Sequence, residues 1–310
     1  MPDKYRRSRK LPTKSGLSFG SLQADCAVHS TDMKLPPELE DIILSYLYDD
    51  VETLSTCSLV HRSWVISAQS RIFHRITLLL VHVERFARLL RTSPHIAQYT
   101  KVLGVQDGPR WGTEPEFAEI VSLVLPALKN VHAVALSWVN SIKLSNSAWM
   151  SFITNAPHIR SLCLNGCTFD TTPKFLSFVT AFPQLEVLEL HCSGANEETT
   201  ATNDNIISHS RSPLLLRRLS LDHVSSVSAI VDGLVLAEAT SSLKTFQLCD
   251  SSLTVEEAAS VGRLLLSAGS ALEHLELSLS NTNCKPPCDL VFCEQNTNRT
   301  STQTQRKLYL

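Results

Sequence analysis

Glycine is scarce in this chain, with 10 in 310 residues. No glycine-rich phosphate loop, no His-Glu-x-x-His helix and no Gly-x-Ser-x-Gly elbow occurs, which argues against nucleotide chemistry and the common hydrolase designs. Long apolar runs are missing as well. The run from Ile76 to Val81, broken only by Thr77, is far below the roughly 18–20 residues that a membrane span requires. Excess charge of either sign is also absent. A net charge of −2 gives no global reason to expect nucleic acid or an acidic membrane surface as partner.

The small net charge is unevenly spread. Residues 1–34 hold seven Lys/Arg against three Asp, so a local +4 leaves −6 for the rest. Arg6, Arg7, Arg9 and Lys10 lead, and no apolar stretch of secretory length follows them. Residues 1–32 read as a solvated, disordered basic leader, with a nuclear localisation patch or a mitochondrial presequence as the functional alternatives. Without a secretory signal, the nine cysteines are expected as reduced thiols in the cytoplasm and/or nucleus. By the same reasoning the Asn298-Arg299-Thr300 sequon stays unmodified. With 43% apolar residues the chain holds enough material for a sizeable core.

Residues 33–75 read as a small helical module. Pro36 and Pro37 suit a first helical turn, where a missing N–H costs nothing, and Leu39, Ile42, Ile43, Tyr46 and Leu47 recur at helical spacing. Asp49 with Glu52 offers a capping box for a second helix. Its apolar set Leu54, Cys57, Val60, Trp64, Ala68 and Ile72 steps by three or four residues. Such a two- or three-helix unit is too small to be a stable domain alone.

The opening Leu35-Pro36-Pro37-Glu38-Leu39, with Ile42, the pair Leu59 and Val60, Arg62, Trp64 and Phe73, resembles an F-box. His61 stands where that family often has Cys or Ser. The resemblance implies a Skp-family adaptor docked at Leu35, Pro36, Pro37, Glu38, Leu39, Ile42, Leu59 and Val60, with Trp64 in the module's own packing.

From residue 99 to 280 one phrase returns, apolar at its first, fourth and sixth positions. The clearest copy is Ile159-Arg160-Ser161-Leu162-Cys163-Leu164, continuing through Asn165 and Gly166 to Cys167. Further copies begin at Val131, Leu185, Leu216, Leu243 and Leu272, and a degenerate first one sits at Leu103 to Val105. Their central residues, at 103, 134, 162, 188, 219, 246 and 275, recur every 26 to 31 positions. Between them lie amphipathic stretches such as Ala148 to Ile153 and Lys174 to Val179, and a Thr254/Glu257 capping box opens a helix through Leu266. Pro94, Pro126, Pro157, Pro183 and Pro213 each stop a helix before the next phrase.

Phrase and period resemble leucine-rich repeats, in which each unit is a short strand followed by a helix. The expected fold is therefore α/β: a short all-α F-box module followed by an irregular leucine-rich-repeat-like solenoid. A doubly wound sheet is the competing design, with longer apolar strands. Residues 76–98 read as a helical linker packed on the body, with Phe86, Leu89 and Leu90 on one face. A polar insertion covers Asn196 to Ser212, and residues 281–310 read as a disordered tail.

Cys284, Cys288 and Cys293 are spaced four and five apart and lack a fourth ligand, so no metal or other cofactor is expected. Cys163, His191 and Asp222 fall on three consecutive repeats in an order that suits nucleophile, base and orienter. With no oxyanion donor identifiable, they read as polar members of a water-exposed binding face and not as an enzyme site. The same face carries Asn165, Glu189, Arg218, Gln247, His274 and Glu276. Mixed in charge and poor in aromatics, it suits a protein partner better than nucleic acid.

Together the two resemblances imply a non-enzymatic, fungal-type F-box protein. It would be a substrate receptor of an SCF-type cullin-RING ubiquitin ligase, joined through a Skp adaptor to a cullin scaffold and holding a protein substrate on its repeats. The alternative is a ligase-independent repeat scaffold whose helical head merely caps the solenoid. An exposed patch at Leu35, Pro36 and their apolar neighbours favours docking; packing of these residues into the first repeat favours the cap.

Overall fold

A computed structural model describes residues 35–48, 50–106, 117–118, 120–139, 146–195, 214–250, 253–278 and 307–309. The basic leader, the polar insertion, Pro213, the cysteines at 284, 288 and 293, and the sequon lie outside the described residues.

Three helices open the structure: α1 (Pro37–Ser45), α2 (Val51–Val60) and α3 (Arg62–Ile72). Pro37 occupies the first turn of α1, as its fixed φ and missing N–H dictate. The cap of α2 is Asp50, one residue later than the sequence suggests, and its Oδ1 accepts from Thr53 N at 2.9 Å. The second helix does not continue to Ile72. His61 adopts an extended conformation, ends α2, and caps α3 by accepting from Ser63 N at 3.2 Å. This break turns Val60 out of the apolar stripe, which leaves Leu44, Leu54 and Ala68 as a small core with Leu47, Cys57, Trp64 and Ile72 packed around it.

The rest is a mixed α/β body with eight parallel strands of five residues. They are β1 (Arg75–Leu79), β2 (Val102–Gln106), β3 (Ala133–Ser137), β4 (Ser161–Asn165), β6 (Val187–His191), β8 (Arg218–Asp222), β9 (Thr245–Cys249) and β10 (His274–Ser278). Two-residue strands β5 (Thr168–Phe169) and β7 (Gly194–Ala195) pair separately, and β11 (Lys307–Tyr309) adds antiparallel to β10. Strand order in the large sheet follows chain order throughout. A doubly wound sheet would reverse direction at a switch point. β1 opens the segment 76–98 that the sequence suggested was helical, and helix α4 (Val83–Thr92) follows it. The run Ile76 to Val81 is apolar without a period, so spacing alone could not separate strand from helix.

Register matches the repeated phrase. Ile76, Leu103, Val134, Leu162, Leu188, Leu219, Phe246 and Leu275 lie side by side across the sheet. They face one continuous core shared with α4 and the helices Asn146–Asn155, Thr172–Thr180, Val227–Leu236 and Val255–Ala268. The last of these carries the expected Thr254/Glu257 capping box. Between β2 and β3 lie a π-helical turn, Ile120–Val124, and a 3-10 turn, Leu125–Ala127.

Hydrogen bonds at both strand ends repeat from unit to unit. Before the strands, the His132 carbonyl accepts from Arg160 N and Ser161 N, that of Arg160 from Glu186 N and Val187 N, and that of Glu186 from Arg217 N and Arg218 N. After the strands, Trp138, Gly166, Cys192 and His223 donate to the carbonyl of Asn165, His191, Asp222 and Cys249 in turn, at 2.7 to 2.9 Å. Aiming each N–H at the next strand puts these four residues in the left-handed region, with φ of 63, 61, 46 and 50°. Only Gly166 needs to be glycine on packing grounds, because a Cβ there would lie 2.4 Å from the Trp138 ring.

Buried side chains complete the pattern. Ser193 Oγ donates toward the carbonyls of Leu164 (3.0 Å) and His191 (2.9 Å) and accepts from Cys167 N at 3.0 Å. Cys167 Sγ donates to the Leu136 carbonyl at 3.3 Å, and burial pushes its thiol pKa up to about 12. Ser193→Ala strands the buried Cys167 N–H and takes one hydrogen bond from each of two carbonyls, and should destabilise the chain by about 1–3 kcal/mol in chemical denaturation. Cys249 is disulfide-bonded, which departs from the expectation that every cysteine is a reduced thiol.

Candidate docking site

Helix α1 is amphipathic, but its apolar stripe faces away from the module. Leu39, Ile42, Ile43 and Tyr46 recur at the spacing of one helical face, and all four are exposed. The opposite edge is polar and held by α3. Ser63 Oγ donates to Glu40 Oε2 at 3.0 Å, Ser67 Oγ to the Asp41 carboxylate, and the Arg71 guanidinium to the Asp41 carbonyl at 2.9 Å. The Ser67 hydrogen bond, helped by Arg71, holds the Asp41 carboxyl below its ordinary pKa. Among the helix's apolar residues, only Leu44 is fully buried.

Leu35, Pro36, Pro37 and Glu38 at the start of α1 are exposed too, as are Leu59 and Val60 at the end of α2, at 86% and 69%. Ten of the nineteen exposed large apolar side chains among the described residues lie between Leu35 and Ile66. Such a concentration is characteristic of a surface that meets a partner. Trp64 is half-buried against the module core, as its expected packing role requires. Tyr46, 86% exposed, was readable as helical by spacing but carried no sign of pointing outward.

Contact between head and body runs through other residues. α3 touches the short helix α5 (Ile96–Tyr99), and the Tyr48 hydroxyl lies 3.0 Å from His74 Nδ1. Burial, then the charges of Arg75, His132 and Lys101, lower the His74 pKa. A neutral ring protonated at Nε2 would accept a hydrogen bond from the Tyr48 hydroxyl at Nδ1. The α1 stripe takes no part in this joint.

On the sheet, Asn165, Glu189, Gln247, His274 and Glu276 are half-buried, Arg218 is exposed, and His191 and Asp222 are buried. The centre of this face is therefore not open to water as expected. Neighbouring strands stand only about 4.8 Å apart, so short side chains sink between longer ones and bond to each other. His191 Nδ1 lies 3.3 Å from Asp222 Oδ2, Gln247 Nε2 donates to Glu276 Oε2 at 3.0 Å, and His274 Nε2 is 3.8 Å from Glu276.

Cys163, His191 and Asp222 do not form one row. Register pairs His191 with Asp222, whereas Cys163 pairs with Glu189. Cys163 is also 2% exposed, closed to a bulky substrate. Alkylation of the native chain should therefore modify exposed Cys192 and spare Cys163 and Cys167 until denaturant is added, as read by peptide mass spectrometry. Burial and Asp222 raise the Cys192 pKa, so its labelling should accelerate into alkaline pH. Selective native labelling of Cys163 would revive a nucleophile at that position.

Among the described residues, no helix is long and apolar enough to cross a membrane. No family model matches the chain, and a search of curated proteins finds no match.

Proposed function

We propose that the chain is a substrate-receptor subunit of an SCF-type cullin-RING ubiquitin ligase. Residues 33–75 act as an F-box that binds a Skp-family adaptor and, through it, a cullin. The body acts as an irregular leucine-rich-repeat solenoid that holds a protein substrate. The observation that carries this reading is the outward apolar face of α1, with Leu35, Leu59 and Val60 exposed as well. A head that only capped the first unit would turn that face toward β1 and α5, where α3 and Tyr48 make the contact instead.

The body's supports are its strictly sequential parallel strands, a period of 26 to 31 residues, and Cys167 and Ser193. These two stand at the ninth position of their phrases, where a leucine-rich unit uses Asn or Cys, and both bond to neighbouring backbone carbonyls. The chain supplies no chemistry in this role; it raises the effective concentration of a substrate near the ligase.

A pull-down under proteasome inhibition tests the assignment. The intact chain should capture a Skp adaptor and a cullin. A variant with Leu35→Asp and Pro36→Asp should lose both while keeping the partner held by the body. Adaptor capture that survives the double substitution would sink the docking assignment.

A further inference from the structure

The centre of the sheet face brings three metal-ligating side chains together. Cys163 on β4 and Glu189 on β6 are register partners, and His191 lies two residues beyond Glu189 on the same side of β6. One ligand atom from each lies within 4.8 Å of the other two. We propose that Cys163, Glu189 and His191 bind a single divalent transition-metal ion of the zinc type, with Asp222 as the positioning residue for His191.

The donor set selects the class of ion. A thiolate beside an imidazole favours zinc and its transition-metal neighbours over magnesium or calcium, which take oxygen ligands. Tetrahedral zinc, with bonds of about 2.0–2.3 Å, places its ligand atoms about 3.3–3.8 Å apart. The ligand atoms here lie within 4.8 Å of one another, so closing the triangle to that size takes side-chain shifts of about an ångström. Charge also fits the buried setting, where Cys163 and His191 are 2% and 3% exposed. A thiolate and a carboxylate neutralise a divalent ion, and the Cys163 proton leaves as the ion binds.

The second shell is in place as well. Asp222 Oδ2 stands 3.3 Å from His191 Nδ1, the carboxylate–imidazole pairing that would orient the ring toward a metal ion. Three protein ligands leave a fourth position for water or for a side chain of a bound protein. The ion itself does not depend on the ligase reading.

Zinc and cobalt binding to the full-length chain under a non-chelating reductant tests the site. A background carrying Cys284→Ser, Cys288→Ser and Cys293→Ser prevents zinc at those thiols from being counted. This background should bind one zinc per chain, and its cobalt form should show a thiolate charge-transfer band. Cys163→Ser should abolish the band, and Glu189→Gln should weaken zinc binding more than tenfold. Asp222→Asn should weaken it about 10- to 100-fold, with native circular dichroism throughout. If Cys163→Ser does not fold, Glu189→Gln decides. A background that binds no zinc, or zinc affinity unchanged by Glu189→Gln, overturns the site.

Discussion

Aspartate at both Leu39 and Ile42 is expected to weaken Skp-adaptor binding by at least about 100-fold while leaving the chain folded. Both side chains are about half-exposed, on a face of α1 that the module does not use, so the folded state loses little. In a complex that buries the stripe, each aliphatic side chain, already half covered, contributes about half of the 1.5–3 kcal/mol of a full burial. Losing both removes about 1.5–3 kcal/mol, the cost of burying two carboxylates adds at least as much, and each 1.4 kcal/mol is a factor of ten. Isothermal titration with a purified adaptor reads the loss, and an unchanged melting temperature shows that it is specific. Equal affinity in the variant would mean that the stripe is not the docking face.

Phe152→Ala is expected to cost roughly 3–5 kcal/mol. The Phe152 side chain is fully buried, and its ring lies 5.8 Å from Phe117, 6.3 Å from Phe178 and 6.1 Å from Phe182. With Trp149, which sits 4.6 Å from Phe178, these rings tie Phe117, three residues before the π-helical turn, to the helix Asn146–Asn155 and the helix Thr172–Thr180. The cavity would open where consecutive units meet. A matching drop in the denaturation midpoint with an unchanged slope checks the effect. A change under about 1 kcal/mol would show that the units close around the gap independently.

The frame of the body is legible in the sequence because the phrase has a fixed internal spacing. Leu162, Leu188 and Leu219 could be aligned by eye, and they are register partners. β1 was hidden by its own composition, since an apolar run without alternation suits a strand or a buried helix. The break at His61 was hidden as well, because neither glycine nor proline marks it; an extended backbone with an imidazole cap separates α2 from α3. Side but not depth was readable on the sheet face. Alternation places His191 and Asp222 away from the core, while their burial comes from neighbouring strands that no single phrase contains.

For α1 the limit was orientation. Helical spacing identifies the stripe Leu39, Ile42, Ile43 and Tyr46, and such a stripe ordinarily faces inward. Its outward direction follows from Ser63, Ser67 and Arg71, which hold the polar edge of α1 from more than twenty residues away. Only the resemblance of the Leu35-Pro36-Pro37-Glu38-Leu39 opening to an F-box pointed to a docking role.

The most direct measurement is size-exclusion chromatography of the purified chain mixed with a purified Skp adaptor. The docking reading expects one peak at equal stoichiometry that splits into two when Leu39→Asp and Ile42→Asp are introduced. A folded wild-type chain that elutes apart from the adaptor at every concentration tried would contradict it.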